Sequence, residues 1–145
     1  MFIQMNNARK SYGKGENTVH ALDGIELALE QGKIYVILGP SGSGKSTLLN
    51  MMGGLDSLDE GSITVDGKEI SRLKSGELTK YRKTDVGFVF QFYNLVQNLT
   101  ALENVELAAQ ICKEPLDAAT VLKQVGLEDR MANFPAQLSG GEQQR

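Results

Sequence analysis

Residues 39–47 read Gly-Pro-Ser-Gly-Ser-Gly-Lys-Ser-Thr, a glycine, four residues and then Gly-Lys-Ser. This spacing constrains the chain more than any other feature, because it needs a strand before it and a helix after it. Both are written in the sequence. Residues 34–38, Ile-Tyr-Val-Ile-Leu, are unalternated and rich in β-branched side chains, as in a parallel strand buried on both faces. Residues 45–52 predict a short helix stopped by Gly53 and Gly54. A chance Gly/Ser-rich turn would lack that context.

Each part of the loop has a chemical task. Gly39, Pro40, Ser41, Gly42, Ser43 and Gly44 let successive backbone N–H groups point into one concavity, and the following helix adds its unpaired amides and positive dipole end. Lys45 is placed to reach the β- and γ-phosphates of a nucleotide, and the Ser46 hydroxyl to hold a Mg²⁺ ion between them, with Thr47 completing the turn. The expected ligands are therefore a nucleoside triphosphate and Mg²⁺. Kinases, GTPases and motor proteins share this loop, so the remainder of the chain must discriminate.

The 145 residues suit one domain or part of one, and 41% apolar with 23% charged residues is an ordinary globular composition. A net charge of −3 gives no broad attraction to nucleic acid. Basic residues at 72, 74, 80, 82 and 83 alternate with Glu69, Glu77 and Asp85, as on a solvated helix face. The N-terminus has no apolar signal region and no apolar run approaches the ~18 residues of a membrane span, so the chain is expected to be neither secreted nor membrane-spanning. Cys112 stands alone, which leaves no disulfide framework and fits a reducing compartment.

Residues 2–8 and 23–30 predict strands, the second alternating Ile25, Leu27 and Leu29 with polar or small residues, and both are expected to pair with residues 62–66 in a small antiparallel sheet. Residues 86–90 predict a second buried strand. Thr100 and Glu103 form a capping box ahead of a helix with Leu102, Val105 and Ala109 on one face. Pro115 is expected at the first position of another helix, with Ala119, Leu122 and Val125 inward and Gly126 as its stop. Met51 and Met52 read as core filler. A second capping box, Ser139 with Glu142, opens the last segment, Leu-Ser-Gly-Gly-Glu-Gln-Gln-Arg at 138–145.

That last segment resembles the signature of ATP-binding subunits of ABC transporters. Tyr12 in Arg-Lys-Ser-Tyr and Gln91 after Phe-Val-Phe stand where that family carries its adenine-stacking aromatic and its Q-loop glutamine. The resemblance covers essentially the whole chain. Gly-Gly-Leu-Asp at 53–56, the run 86–91, residues 99–107 and Phe-Pro-Ala-Gln at 134–137 are similar to the lipoprotein-releasing and macrolide-exporting branch. It implies an α/β fold: a P-loop NTPase core of ABC ATPase type with an antiparallel β-subdomain and a helical subdomain. The divisions it implies are 1–90, 91–137 and 138–145.

It further implies that Lys45 and Gln91 act in catalysis, that Gln91 joins Ser46 in the Mg²⁺ shell, and that Tyr12 stacks on the base. Ser139, Gly140, Gly141 and Glu142 would meet the ATP of a second, opposite subunit. A permease is the other implied partner, and it would hold the chain at the cytoplasmic face of the membrane. In the family an Asp-Glu pair follows the signature, and a later histidine contacts the γ-phosphate. Neither lies within residues 1–145, and His20 is out of place for that role. We therefore expect a fragment whose core sheet lacks its C-terminal part, with the strands at 34–38 and 86–90 short of neighbours and fraying from Ser139 onward. Nucleotide binding without turnover is the alternative function. A soluble ABC protein of DNA repair or translation is a third reading, weakened by the absence of long insertions or tandem cassettes.

Overall fold

The computed structural model describes residues 1–145, which divide into two compact units, Met1–Val86 and Gly87–Arg145. The first is built on strands β1 (Ile3–Tyr12), β2 (Val19–Leu29), β3 (Glu60–Val65) and β4 (Lys68–Glu69), with helices α1 (Lys45–Met52) and α2 (Ser75–Thr84). The sheet order is β2-β1-β3-β4 and every pairing is antiparallel. Met5, Ala8, Leu22, Ile63 and Ile70 from the sheet segment close over Met51 of α1 and Tyr81 of α2. Met51 therefore fills the core as expected, and Met52 packs against it.

The three expected strands are present but longer or shifted. β1 continues four residues past Ala8, because an irregularity after Met5, with Asn7 at φ 46, resets the two-residue alternation. Ala8 and Lys10 then face inward, where strict alternation from Met5 would have buried Asn7. β3 and β4 are joined by Asp66 and Gly67, both at positive φ, the two-residue hairpin that Asp-Gly favours.

Helix α1 has the expected bounds, and Gly54 at φ 65 provides its left-handed stop. Arg82 of α2 is not merely a solvated charge, since its guanidinium donates to the Gly54 carbonyl at 2.6 Å.

Residues 34–38 and 86–90 form no ladder. Ile34, Val36 and Leu38 are 96%, 75% and 86% exposed, and Val89 is 98% exposed. Their composition is that of buried parallel strands, but a strand is defined by hydrogen-bonded neighbours. No other segment of the chain pairs with either.

The second unit carries α3 (Ala101–Ala109), α4 (Ala118–Gln124) and α5 (Gly140–Gln144), with short 3₁₀ turns at Glu128–Arg130 and Pro135–Gln137. Thr100 caps α3 with Glu103 returning to its amide, as the capping box predicts. Asn104 then clasps the preceding loop through the Val96 amide and the carbonyls of Val96, Leu99 and Thr100. α4 starts three residues after Pro115, because the Asp117 carboxylate accepts from the Thr120 amide and sets the N-cap there. Its buried residues are Ala118 and Leu122, one position displaced from the expected Ala119. Gly126, at φ 72, ends it as expected. No helix is long and apolar enough to cross a membrane.

Candidate functional site

α1 begins without a side-chain cap: its N-cap is Gly44 at φ 86, and no acidic residue lies in the first turn. A Cβ on Gly44 would stand 2.3 Å from the Ala21 carbonyl oxygen of β2, so only glycine allows the loop to turn into the helix against the sheet. The amides of Lys45, Ser46 and Thr47 donate to no carbonyl or side chain of the protein. They are left pointing out of the helix end, where the dipole favours an anion.

The loop is drawn around the lysine. Lys45 Nζ donates to the Gly39 carbonyl at 2.8 Å and the Pro40 carbonyl at 2.6 Å, and lies 3.4 Å from Ser43 Oγ. Ser43 in turn donates its amide to the Pro40 carbonyl. A Cβ on Gly39 would meet Ser43 Oγ at 2.6 Å, so the first glycine is where the loop closes on itself. Beside it an open depression of about 380 Å³ is lined by Tyr35, Val36, Ile37, Lys45, Ser46 and Leu49. A triphosphate fits this donor set: free amides, an ammonium held by neutral carbonyl and hydroxyl oxygens, and the Ser46 hydroxyl suited to a hard cation.

Tyr12 ends β1 near the same helix. Its hydroxyl donates to Asp56 Oδ2 at 2.8 Å, and the residue is 42% exposed. Partial burial raises the phenol pKa and the Asp56 carboxylate raises it further, while Lys10 and the Thr47 hydroxyl of α1 act in the opposite sense. Asp56 is held below the ordinary carboxylate range: burial works against this, and the Ser57 amide, the Tyr12 hydroxyl and Lys10 together outweigh it.

The first unit thus gathers Tyr12 and residues 39–47 around one helix end. Gln91 and the signature residues belong to the second unit. Gln91 is exposed and makes no hydrogen bond within the chain, in a segment where Phe88 and Phe90 stack at 5.4 Å between ring centroids.

The signature turn is firmly built. Ser139 Oγ accepts from the Glu142 amide at 3.3 Å, and the Ser139 amide donates to Glu142 Oε2 at 2.8 Å. Arg130 Nε donates to Glu142 Oε1 at 3.1 Å. The Ser139 amide and hydroxyl, with Arg130 behind them, hold the Glu142 pKa down to about 2. Gln143 donates to the Pro135 and Leu138 carbonyls, and Arg145 to the Val125 carbonyl. A short helix is present where fraying is expected from Ser139, and these hydrogen bonds tie it to residues outside its own turns.

Sequence reasoning passed over Lys10 and Asp59. Lys10 is 9% exposed, and its Nζ donates to Asp56 Oδ1 at 3.2 Å and the Ser57 carbonyl at 2.7 Å, with Asp59 Oδ1 at 3.6 Å. A Lys two residues before an aromatic, answered by a carboxylate just past the helix stop, was the available signal. His20 bonds Ser11 Oγ at 2.9 Å.

Comparison with known proteins shows the family. The model of the ABC transporter family matches residues 22–145. The lipoprotein-releasing system ATP-binding protein LolD of Bacteroides fragilis is 44% identical over 148 residues, spanning 99% of this chain and 67% of its own length. The macrolide export ATP-binding/permease protein MacB of Mannheimia succiniciproducens is also 44% identical over 148 residues, with 99% of this chain covering only 23% of that protein. Among solved structures, the dimeric, post-hydrolysis ATP-binding cassette MJ0796 bound to ADP and Pi superposes with a TM-score of 0.85 at 43% identity, over 97% of this chain and 65% of that one. The chain belongs to the ABC transporter family.

Proposed function

We propose that this chain is the nucleotide-loading part of an ATP-binding subunit that couples ATP binding and hydrolysis to export, or to membrane extraction, of a substrate. The observation that carries the reading is the uncapped first turn of α1, with three free amides and Lys45 at its mouth. Lys45 would exchange the Gly39 and Pro40 carbonyls for phosphate oxygens, a stronger, charge-assisted set of acceptors. The amides of the loop and first turn would hold the remaining oxygens, and Tyr12 would support the base.

Ser46 is the residue at the mouth of α1 that would hold Mg²⁺. When bound, that ion supplies charge neutralisation between the β- and γ-phosphates. The Ser139 hydroxyl, with Gly140 and Gly141, would meet the ATP of a second copy. Glu142 serves that turn by fixing Ser139. The dimeric cassette and the permease-fused relative support a second ATP-binding subunit and a permease as partners, and hence a place at the cytoplasmic face of a membrane.

Nucleotide binding without turnover is a second reading for the 145-residue polypeptide. Titration with a fluorescent ATP analogue and a phosphate-release assay test both. Lys45→Ala should weaken binding by on the order of 100-fold through lost charge-assisted hydrogen bonds. Wild-type binding equal to that of Lys45→Ala refutes the loop assignment. Phosphate release above the Lys45→Ala background refutes the second reading.

A further inference from the structure

Lys10 and Tyr12 lie two residues apart at the end of β1, where the register with β2 is irregular. One carboxylate then joins them: Asp56 accepts Lys10 Nζ on Oδ1 at 3.2 Å and the Tyr12 hydroxyl on Oδ2 at 2.8 Å. The ammonium lies 5.3 Å from the centroid of the Tyr12 ring, within cation–π range. Its three protons meet three acceptors, Asp56, the Ser57 carbonyl and, more loosely, Asp59. Lys10 is therefore committed inside the protein and is not a phosphate ligand. The cluster is graded: Lys10 is 9% exposed and Tyr12 42%, so the lysine end is buried and the tyrosine end is open to solvent.

We propose that Lys10 is a positioning residue which, through Asp56, fixes the Tyr12 ring beside the phosphate loop and so contributes to recognition of the nucleotide base, not the phosphates. This rests on the reading of Tyr12 as the base platform. A ring already locked has less rotamer freedom to lose when a base stacks on it. Without Lys10, Asp56 loses its counter-ion, the segment at 56–59 loses its tie to β1, and the ring is no longer held from two sides. The raised Lys10 pKa agrees: burial alone would lower it, and Asp56, with Asp59 and Tyr12 behind, overrides that effect.

The test compares affinities of the whole chain for ATP and for tripolyphosphate, which has no base. Lys10→Met should lower ATP affinity about threefold to tenfold, the scale of one aromatic stacking contact, and leave tripolyphosphate binding unchanged. Equal weakening of both ligands, or full retention of the wild-type preference for ATP, overturns the proposal. If circular dichroism shows that Lys10→Met does not fold, Tyr12→Phe decides, because it keeps the ring and removes only the bond to Asp56. A smaller loss confined to ATP is expected. No loss, or one shared by tripolyphosphate, overturns the proposal. A wild-type chain that binds tripolyphosphate as tightly as ATP refutes the base-platform reading itself.

Discussion

The N-termini of α1 and α5 are the same backbone object treated in opposite ways. α5 closes its own first turn: Ser139 accepts the Glu142 amide, and the Glu142 carboxylate returns to the Ser139 amide under the grip of Arg130. α1 has glycine at its N-cap, no acidic residue in its first turn and three amides without acceptors. α3 and α4 are also capped by side chains, from Thr100 and Asp117. The α5 end gives its cap amide to its own carboxylate, whereas the α1 end, left open next to an ammonium, is suited to receive an anion from outside.

The largest expected effect comes from converting one end into the other. Thr47 is the third helical residue of α1, the position Glu142 holds in α5. Thr47→Glu supplies an internal anion, so ATP affinity should fall more than about tenfold as charge repulsion and occupation of the free amides add, while helicity by circular dichroism is retained. Unchanged ATP affinity would break the comparison. Next in size, Ser139→Ala should cost ~1 kcal/mol of local stability at α5, read as faster amide hydrogen exchange of Glu142 and Gln143. The same protection before and after would show that Arg130 and Gln143 alone hold the turn.

The smallest effect is a titration. Because the Glu142 pKa is held at about 2 instead of 4.5, folding favours its ionised form. Its contribution to the cap is fully present above about pH 4.5 and is lost as pH falls through about 2. Carbon NMR of the Glu142 carboxyl should give a midpoint near 2, whereas one near 4.5 would mean the cap is not closed in solution.

Local chemistry made the open helix end legible in the sequence. The glycine spacing, Lys45 and the stop at Gly54 are short-range, and both capping boxes span three residues, so α1, α3 and α5 begin where the residues say. The start of α4 was misjudged because Pro115 and Asp117 are both good helix starters, and the Asp117 bond to the Thr120 amide decided between them. Extension of β1 to Tyr12 was hidden, since a buried lysine is tolerable only with acceptors found at Asp56 and Ser57, more than forty residues away. Residues 34–38 and 86–90 carry the composition of central strands and yet stand unpaired. Composition states what environment a segment suits, and partner strands decide whether the environment exists.

The central claim is that the first turn of α1 is an anion site, and amide NMR tests it most directly. Adding tripolyphosphate to the isotope-labelled chain should shift the backbone signals of Gly44, Lys45, Ser46 and Thr47 in a saturable way, with the shifts abolished in Lys45→Ala. Signals that stay in place at those four residues would contradict it.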